Sequence, residues 1–491
     1  MASIDPIDRA LVPYNLLPNS TVSVNNDLKP TVEAYLETLP KPKPFTKSDD
    51  ISLVIKTLQD GGNWCREDWI IRAKSLIAHR VPELAAFDAH QAYLLAGGVY
   101  KGALKRQIKE ERPFEEKNKI LLVLSRALFL AGCYTESYLA IQLKVGNLDL
   151  DKPDDDASGL EVLRKASDTA LHIVRDRYEG FEAVNGELCE YMLSPILRDG
   201  KVAVVKYPFI PEQFHDLSAS AIDGLNERLS HLPNRYVTNF TSRCTIQKKE
   251  TSATNGSSMG DTSSGVRYGV HVNQGVRKGE VLFVETTDLL ARVKDPEVHE
   301  ISITTCMNCL RDIPQNHLPT NQYPPKETFC NEACTREFSR HVHVPRKLFL
   351  LALSRAAVWV TDNEGRNPLE APFIASLAAN YGGTMNLSYD RHIAAAIDHL
   401  KGLDLEVSPG SEFDSAVLMN ILARVQYNSR AFHDEIEGAL VAVFTFFPFI
   451  NEGSKANIVV DWDWEGKVAE VKVRAKRDLN AGDELFVGPV V

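Results

Sequence analysis

Four of the eight cysteines stand in two close pairs, and this spacing is the strongest chemical signal in the sequence. Cys306 pairs with Cys309 and Cys330 with Cys334, and twenty residues separate the two pairs. Each pair can bring both of its sulfurs to one tetrahedral ion, and four thiolates are the ligand set typical of structural zinc. The alternative is a set of unrelated buried thiols. The spacing therefore predicts one zinc ion bound by these four cysteines.

Two histidines close to the cysteines are alternative ligands. His341 and His343 follow the second pair by a few residues. Four cysteines already fill the tetrahedral coordination of zinc, so the histidines are not needed for it. Because no coordination position stays open for a substrate, the predicted metal site is structural.

A second group of residues suited to binding chemistry is divided between two distant parts of the chain. Residues 266–285 have the pattern strand, turn, strand, and two asparagines follow far downstream. Side-chain amides can hydrogen-bond to a polar ligand without adding charge.

The order of these pieces resembles that of the SET-domain protein-lysine methyltransferases. Residues 267–285 resemble the opening motif of the family, in which a glycine-bearing turn lets the backbone approach S-adenosylmethionine. Asn451 aligns with the asparagine of the family's Asn-His-Ser-Cys signature. Residues 474–485 resemble the ending of the SET domain, and residues 428–432 resemble the segment before the core in SET-and-MYND proteins.

The resemblance implies transfer of a methyl group from S-adenosylmethionine to a lysine side chain of a protein substrate. Such a transfer needs two reactants held in line rather than a covalent intermediate. The lysine must first lose its proton, because an ammonium with a reference pKa of about 10.4 has no free lone pair. The cysteine cluster then corresponds to a MYND-like zinc module. The resemblance makes six residues candidate cofactor contacts: Arg267, Tyr268, Gly269, Asn428, Asn451 and Glu452.

The sequence departs from the family pattern at several positions. Glu452 replaces the signature histidine, and Pro489 stands where the family has the tyrosine whose hydroxyl orients the amine. Proline has no hydroxyl, so either the activity is lost, Tyr427 substitutes, or the C-terminus is altered. The catalytic residue is therefore unassigned, and the alternative function is a non-catalytic interaction scaffold with a degenerate SET domain.

Several candidate residues also have purely structural interpretations. Asn428 and Asn451 can satisfy backbone groups of turns, because asparagine side chains often bond locally to the main chain. Tyr268 and Phe432 are more typical of core-facing aromatic residues than of residues that stack on a cofactor.

The N-terminal half of the chain has helical patterns. Residues 1–44 lack periodicity and end in the Pro-rich segment 40–44, which predicts a tail and a stiff linker. Residues 45–235 are predicted to form an α-helical domain. Within it, Gly132, Tyr134 and Ser137 resemble the turn of a tetratricopeptide (TPR) repeat, as in fungal-type TPR-and-SET proteins. The alternative is an irregular helical bundle.

Residues 236–491 are predicted to form the SET domain, in which strand patterns surround a helical insertion. The predicted parts are N-terminal strands in 236–293, an insertion in 294–425 with a zinc module in 306–343, and the SET core in 426–491. The predicted helices are 346–360, 372–381, 391–400 and 414–425, and the predicted strands are 237–247, 439–446, 457–462, 469–475 and 484–487. The fold class predicted for the whole chain is α+β.

Composition and charge bound the remaining possibilities. With 491 residues, 44% hydrophobic and 25% charged, the chain has the composition of a globular protein. A formal charge of -11 argues against direct nucleic-acid binding. The most apolar run, 440–450, is far shorter than the roughly twenty residues of a membrane helix. The first residues lack the pattern of a secretory signal, so we expect an intracellular protein of the nucleus or cytoplasm. The resemblance implies a protein substrate, and we expect a peptide or protein partner on the helical domain.

Overall fold

The computed structural model contains both helices and β-sheets, and it confirms the predicted α+β class. The residues that the structure describes are 35, 65–97, 114–145, 161–169, 200–207, 210–214, 219–232, 242–249, 267–287, 289–292, 344–379, 381, 383–405, 407–408, 411–434, 438–453, 455–465 and 468–488.

The secondary structure alternates between helical and strand regions along the chain. The helices are α1 Arg66–Ala78, α2 Pro82–Gly97, α3 Phe114–Leu130, α4 Tyr134–Val145, α5 Ala219–Ser230, α6 Val344–Asp362, α7 Pro372–Ala375, α8 Ala395–Gly402 and α9 Ser415–Asn428. The strands are β1 Gly200–Ala203, β2 Cys244–Lys249, β3 Arg267–Val272, β4 Val281–Thr287, β5 Leu290–Arg292, β6 Thr384–Leu387, β7 Ser429–Asp434, β8 Gly438–Val443, β9 Asn451–Glu452, β10 Ile458–Glu465, β11 Val468–Ala475 and β12 Phe486–Val487.

The chain divides into two compact units, and neither is contiguous in sequence. Unit 1 consists of Met1–Pro211, Val360–Pro368 and Asn380–Asn420. Unit 2 consists of Glu212–Trp359, Leu369–Ala379 and Ile421–Val491. Residues 360–368 and 380–420, which belong to the predicted insertion, therefore cluster with the N-terminal helices.

The central helix of unit 1 is α2, which is buried from its first residue to Ala92. A buried polar side chain needs a partner, because an unpaired one loses its hydrogen bonds to water. Four polar residues of α2 each meet a different partner: Glu83 with Tyr207 at 3.0 Å, Asp88 with Arg72 at 3.3 Å, His90 with Tyr389 at 2.7 Å, and Gln91 with the carbonyl of Val407 at 3.0 Å. These contacts tie α2 to the elements around it within the unit.

The turn between α3 and α4 lies where the sequence predicts a helix-helix connection. Gly132 has a φ of +79°, a conformation that favours glycine, and the Cys133 amide donates to the Leu128 carbonyl at 2.9 Å. Tyr134 is buried against the Phe129 ring. The fully buried Ser137 contacts both Ser125 and Ser167. The helix pair is as predicted, and its assignment to a TPR repeat stays a prediction.

Unit 2 contains two three-stranded antiparallel sheets whose strands come from both ends of the predicted domain, an antiparallel pair β2–β3 and a parallel pair β9–β12. β4 pairs with β11, and β5 pairs with β8. Each of these pairings joins a strand before residue 293 to a strand after residue 437. β10 extends the first sheet beyond β11, and β7 extends the second beyond β8. The predicted sheet interrupted by a long segment is thus formed.

Two strand-turn-strand segments of unit 2 pair with each other reciprocally. Val276 and Leu479 each donate to the carbonyl of the other at 2.9 Å. The Gly279 amide donates to Ala475 at 2.8 Å, and the Gly482 amide donates to Val272 at 2.7 Å. Both glycines have positive φ, +85° and +92°, which the turns require. Each turn therefore docks on the strand that precedes the other turn.

One predicted helix is shorter than expected. The segment 372–381 forms a helix only to Ala375, and carbonyls in its last turn and just beyond it bond to side chains of α9. Arg424 donates to the carbonyls of Ile374 and Leu377 at 2.9 and 3.0 Å, and Asn428 donates to Ala378 at 2.7 Å. Side-chain donors replace the amides of a continuing helix, a substitution that periodicity does not predict.

Candidate functional site

Two of the predicted ligand-binding segments meet in unit 2. Asn451 begins β9, and its amide nitrogen donates to the backbone carbonyl of Tyr268 on β3 at 3.2 Å. The two residues are 183 positions apart in the sequence. Of the six candidate residues, Tyr268, Gly269 and Asn451 are therefore brought together.

Glu484 also belongs to this cluster, although the sequence analysis does not include it among the ligand-binding residues. The side-chain amide nitrogen of Asn451 donates to Oε1 of Glu484 at 2.8 Å. A Cβ atom added to Gly269 would lie 2.8 Å from the same oxygen and 3.3 Å from Nε2 of His271. The carboxylate thus lies directly beside Gly269. The sequence signal that could have identified Glu484 is its position just after the turn at Gly482. This turn bonds to β3, the strand that carries Gly269.

Asn457 holds the backbone around Glu484 in place. Its side-chain nitrogen donates to the backbone carbonyl of Glu484 at 2.7 Å. Its side-chain Oδ1 accepts a hydrogen bond from the backbone amide of Phe486, also at 2.7 Å. Glu484 also forms a backbone bridge with His271. The main chain at Glu484 is therefore fixed independently of its carboxylate.

Asn451 is positioned by a short 3₁₀-helix, Phe447–Phe449, which ends two residues before it. Glu285 on β4 accepts the backbone amides of Thr445, Phe446 and Phe447, at 3.0 Å for Phe446 and 2.9 Å for Phe447 from Oε2. The Phe449 ring packs edge-on against Tyr268 with a centroid distance of 6.0 Å. Glu285 therefore fixes the segment that leads to Asn451.

Glu285 is an acid in the core of unit 2. It is 3% exposed, and burial raises the pKa of its carboxyl to about 7, although the three amides and Arg228 act in the opposite direction. Arg228 lies over the Phe446 ring, with its guanidinium carbon 5.7 Å from the centroid. Folding thus changes the affinity of this carboxyl for a proton.

Asn428 makes structural contacts instead of joining the cluster around Asn451. Its side chain is fully buried, and its amide nitrogen donates to the carbonyls of Ala378 and Arg424, each at 2.7 Å. Its Oδ1 accepts no hydrogen bond from the described part of the chain. The neighbouring Tyr427 is half-buried and packs against the core of unit 2. The structural interpretation of Asn428 therefore accounts for both of its amide hydrogens.

Other predicted site residues lie wholly or partly outside the described residues. Arg267 and Glu452 are placed by their backbones, opposite Lys249 and Val487. The predicted site residues that lie outside the described ranges are Cys306, Cys309, Cys330, Cys334, His341, His343 and Pro489. Within the described ranges, no three or more His, Cys, Asp or Glu side chains are grouped so as to hold a metal ion.

The cluster contains polar groups of the kinds that bind the polar parts of S-adenosylmethionine. The cofactor has an amino-acid end, a sulfonium and an adenine edge, and the cluster offers an amide at Asn451, the backbone of Tyr268 and a glycine without a side chain. These residue types match the polar groups of the cofactor, although both hydrogens of the Asn451 side-chain amide bond within the protein, as the structural interpretation of Asn451 also requires. The Glu484 carboxylate, however, lies against the open side of Gly269 and uses the Asn451 amide.

Comparison of the chain with protein-family models and with curated proteins finds no match. None of the described helices is both long enough and apolar enough to cross a membrane.

Proposed function

We propose that this protein is an S-adenosylmethionine-dependent protein-lysine methyltransferase of the SET type. The observation that carries the proposal is the contact between Asn451 and Tyr268, the residues of two motif segments that resemble the cofactor-binding parts of that family. The reciprocal turns at Gly279 and Gly482 support it, because they bring the opening and ending motifs side by side.

The residues of the cluster have defined roles in this proposal. Asn451 and the backbone of Tyr268 bind the cofactor, and Gly269 lets it approach the main chain. When bound, S-adenosylmethionine supplies an electrophilic methyl group. The protein contributes orientation, which alone accounts for large rate effects when two reactants must meet in line. The group that orients the lysine amine is unassigned, with Tyr427 as the candidate.

A second candidate function is an interaction scaffold with a degenerate SET domain. Two observations favour it. Pro489 provides no hydroxyl at the family's tyrosine position. Both hydrogens of the Asn451 side-chain amide bond within the protein, to the Tyr268 carbonyl and to Glu484 Oε1. In this case the helical N-terminal half and the zinc module bind a peptide or protein partner.

We also propose that Cys306, Cys309, Cys330 and Cys334 bind one structural zinc ion. The support is their spacing in the sequence. The metal contributes to folding in this proposal and takes no part in methyl transfer.

Methyl transfer tests the proposed function. The full chain is incubated with S-adenosylmethionine carrying a labelled methyl group and a mixed-protein extract, and label in protein lysines is measured. We expect transfer by the wild type and at least a fivefold loss in Asn451→Ala, since about 1 kcal/mol is a typical net worth of a hydrogen bond. Asn480→Ala, at an exposed asparagine of the second turn, is the matched control. Cofactor binding without any transfer would instead indicate a degenerate SET site, as the scaffold function requires.

A further inference from the structure

We propose that a proton on Asp88 holds helix α2 against α1 and against the start of α9 in unit 1, so that this helical core loosens as the pH rises. The inference concerns charged side chains within unit 1 and is independent of the proposed function. It makes the helical core of unit 1 a pH-sensitive switch.

A single guanidinium group faces two carboxyl groups in this part of unit 1. Nη2 of Arg72 on α1 donates to both oxygens of Asp414, at 2.8 and 3.1 Å, and to Oγ of Ser415 at 3.2 Å. Nε of Arg72 lies 3.3 Å from Oδ2 of Asp88 on α2. The Arg72 and Asp88 side chains are fully buried, and the Asp414 side chain is 14% exposed. These four residues are called the Arg72 cluster below.

The charges of the Arg72 cluster do not balance when both acids are ionised. One positive and two negative charges leave one negative charge in excess, and a buried excess charge is unfavourable because it has lost its hydration. A proton on one carboxyl group removes the excess, as in other pairs of carboxyl groups that share a site. The charge count therefore requires one of the two acids to be neutral.

The two acids have unequal surroundings, and these assign the proton to Asp88. Asp414 accepts two hydrogen bonds from the guanidinium and one from the Ser415 hydroxyl at 3.0 Å, and it is partly exposed to water. Neither oxygen of Asp88 accepts a well-formed hydrogen bond from the described part of the chain. Asp414 is thus the acid whose negative charge is stabilised, and Asp88 is the neutral one.

The pKa of Asp88 shifts in the direction that this assignment requires. Burial raises it from 3.8 to about 8. Attraction to Arg72 opposes this rise, repulsion from Asp414 adds to it, and the nearby Ser415 hydroxyl opposes it. Asp88 therefore carries its proton at neutral pH.

Other titratable side chains of α2 and of the elements around it face different partners or solvent. They are Glu83 with Tyr207, His90 with Tyr389, His392 with the Ser388 amide, Arg80 and Arg126 with Tyr35, and the exposed Lys74 and Lys119. The charge state of Asp88 is therefore governed by Arg72 and Asp414.

The proton on Asp88 links the stability of this region to pH. In an opened form Asp88 has its ordinary pKa of 3.8, so the closed form binds the additional proton between about pH 4 and about pH 8. The equilibrium constant for opening should therefore rise with pH over this range and level off above it. An ionised Asp88 gains from contact with water, which reaches this fully buried side chain when α2 moves away from its neighbours.

The test is hydrogen exchange of the full chain, measured by mass spectrometry from pH 6 to pH 9 and corrected for the intrinsic exchange rate at each pH. In the wild type, peptides of α1 and α2 should lose protection at least about tenfold over this range. In Asp88→Asn, which has a neutral side chain of similar shape, their protection should stay constant. Peptides of β10 and β11 are the internal reference, because they should exchange alike in both proteins.

Two further variants separate the charge balance from a structural effect. Asp414→Asn leaves one guanidinium and one carboxyl group, so Asp88 should ionise and the pH dependence of α1 and α2 should disappear. Glu412→Gln, at an exposed glutamate two residues before Asp414, should keep the wild-type profile. If Asp88→Asn does not fold, as judged by circular dichroism, the wild type and Asp414→Asn carry the test.

Two results would overturn the inference. One is equal pH dependence of α1 and α2 in the wild type and Asp88→Asn, or wild-type protection that does not change with pH. The other is protection that rises with the concentration of a metal cation but not with acidity, which would place a cation beside Asp88 instead of a proton. Neither result bears on the proposed function, which is tested by cofactor binding and methyl transfer.

Discussion

Glu285 illustrates how one residue couples the core of unit 2 to the candidate site. Its carboxylate accepts three consecutive backbone amides just before Asn451, and it is almost fully buried. A buried carboxylate with several amide donors is well solvated by the protein, yet its removal from water still favours the protonated form. Glu285 therefore sets the conformation of the site segment and titrates near neutrality.

The stability of the protein should depend on pH through Glu285. Burial raises its pKa from 4.5 to about 7 in the folded chain, so the folded state binds more protons than the unfolded state between these values. The contribution of Glu285 to the free energy of unfolding should fall by about 3 kcal/mol as the pH rises across this range. Urea unfolding of the wild type and Glu285→Gln from pH 4 to pH 8 measures it.

The control is Glu227→Gln, at an exposed glutamate of α5. Its stability should follow that of the wild type at every pH. A constant difference between the wild type and Glu285→Gln across the range would contradict a raised pKa for Glu285.

The structure brings together some residues of the predicted site and not others, for physical reasons. Tyr268 and Asn451 lie in recognisable motifs, and both meet in the structure. Asn428 lies in a matched segment too, but its amide hydrogens bond to backbone carbonyls. Glu484 could not be assigned to Gly269 from spacing alone, because their proximity depends on the pairing of two turns far apart in the chain.

At the scale of elements, three helices end with the same backbone geometry. α1, α3 and α8 each end with a residue of positive φ that follows the last helical turn, at Arg80, Gly132 and Asp404. In each case the next amide donates to a carbonyl five residues earlier, as in a Schellman motif. Only one of the three positions holds glycine. At the other two helix ends, Arg80 and Asp404 adopt a left-handed backbone conformation, which is unfavourable for residues with a side chain.

This difference predicts opposite effects of substitution at equivalent positions. Asp404 is exposed with a φ of +59°, so Asp404→Gly should raise the free energy of unfolding by about 0.5–1 kcal/mol. Gly132→Ala should lower it by about 1–2 kcal/mol. Thermal or urea unfolding measures both. A stabilising Gly132→Ala, or a destabilising Asp404→Gly, would contradict the geometry of these helix ends.

Long elements were predictable and short ones were not. The patterns that predict helices in 346–360 and 414–425 correspond to α6 and α9, because many residues share one period. β1 and β6 have four residues each, and they pair across more than 180 positions. Such short strands have too few residues for a period, and their pairing is determined by tertiary contacts.

At the scale of the whole molecule, the order of segments in the sequence differs from their arrangement in space. β4 and β11 are neighbours in one sheet although 180 residues lie between Thr287, where β4 ends, and Val468, where β11 begins. The sequence analysis predicts strands on both sides of the helical insertion but does not predict which of them pair. It does not predict that residues 380–420 cluster with the N-terminal helices, because contacts among helices leave no signal in a single sequence.

The zinc proposal concerns the composition of the whole molecule. The purified chain should contain one zinc ion, and a Cys306→Ser, Cys330→Ser double variant should lose it, since each pair supplies half of the tetrahedron. Elemental analysis measures the zinc content. Cys65→Ser is the control, because Cys65 is an exposed free cysteine on the described part of the chain and should leave the content unchanged. Zinc content well below one per wild-type chain would contradict the proposal.

The central claim is that Tyr268, Gly269 and Asn451 form a binding site for S-adenosylmethionine. Calorimetric titration of the full-length chain with this cofactor tests it most directly. The account predicts saturable binding at one site per chain, at least fivefold weaker in Asn451→Ala and unchanged in Asn480→Ala. Absence of saturable binding to the wild type, or equal affinity of the wild type and Asn451→Ala, would contradict it.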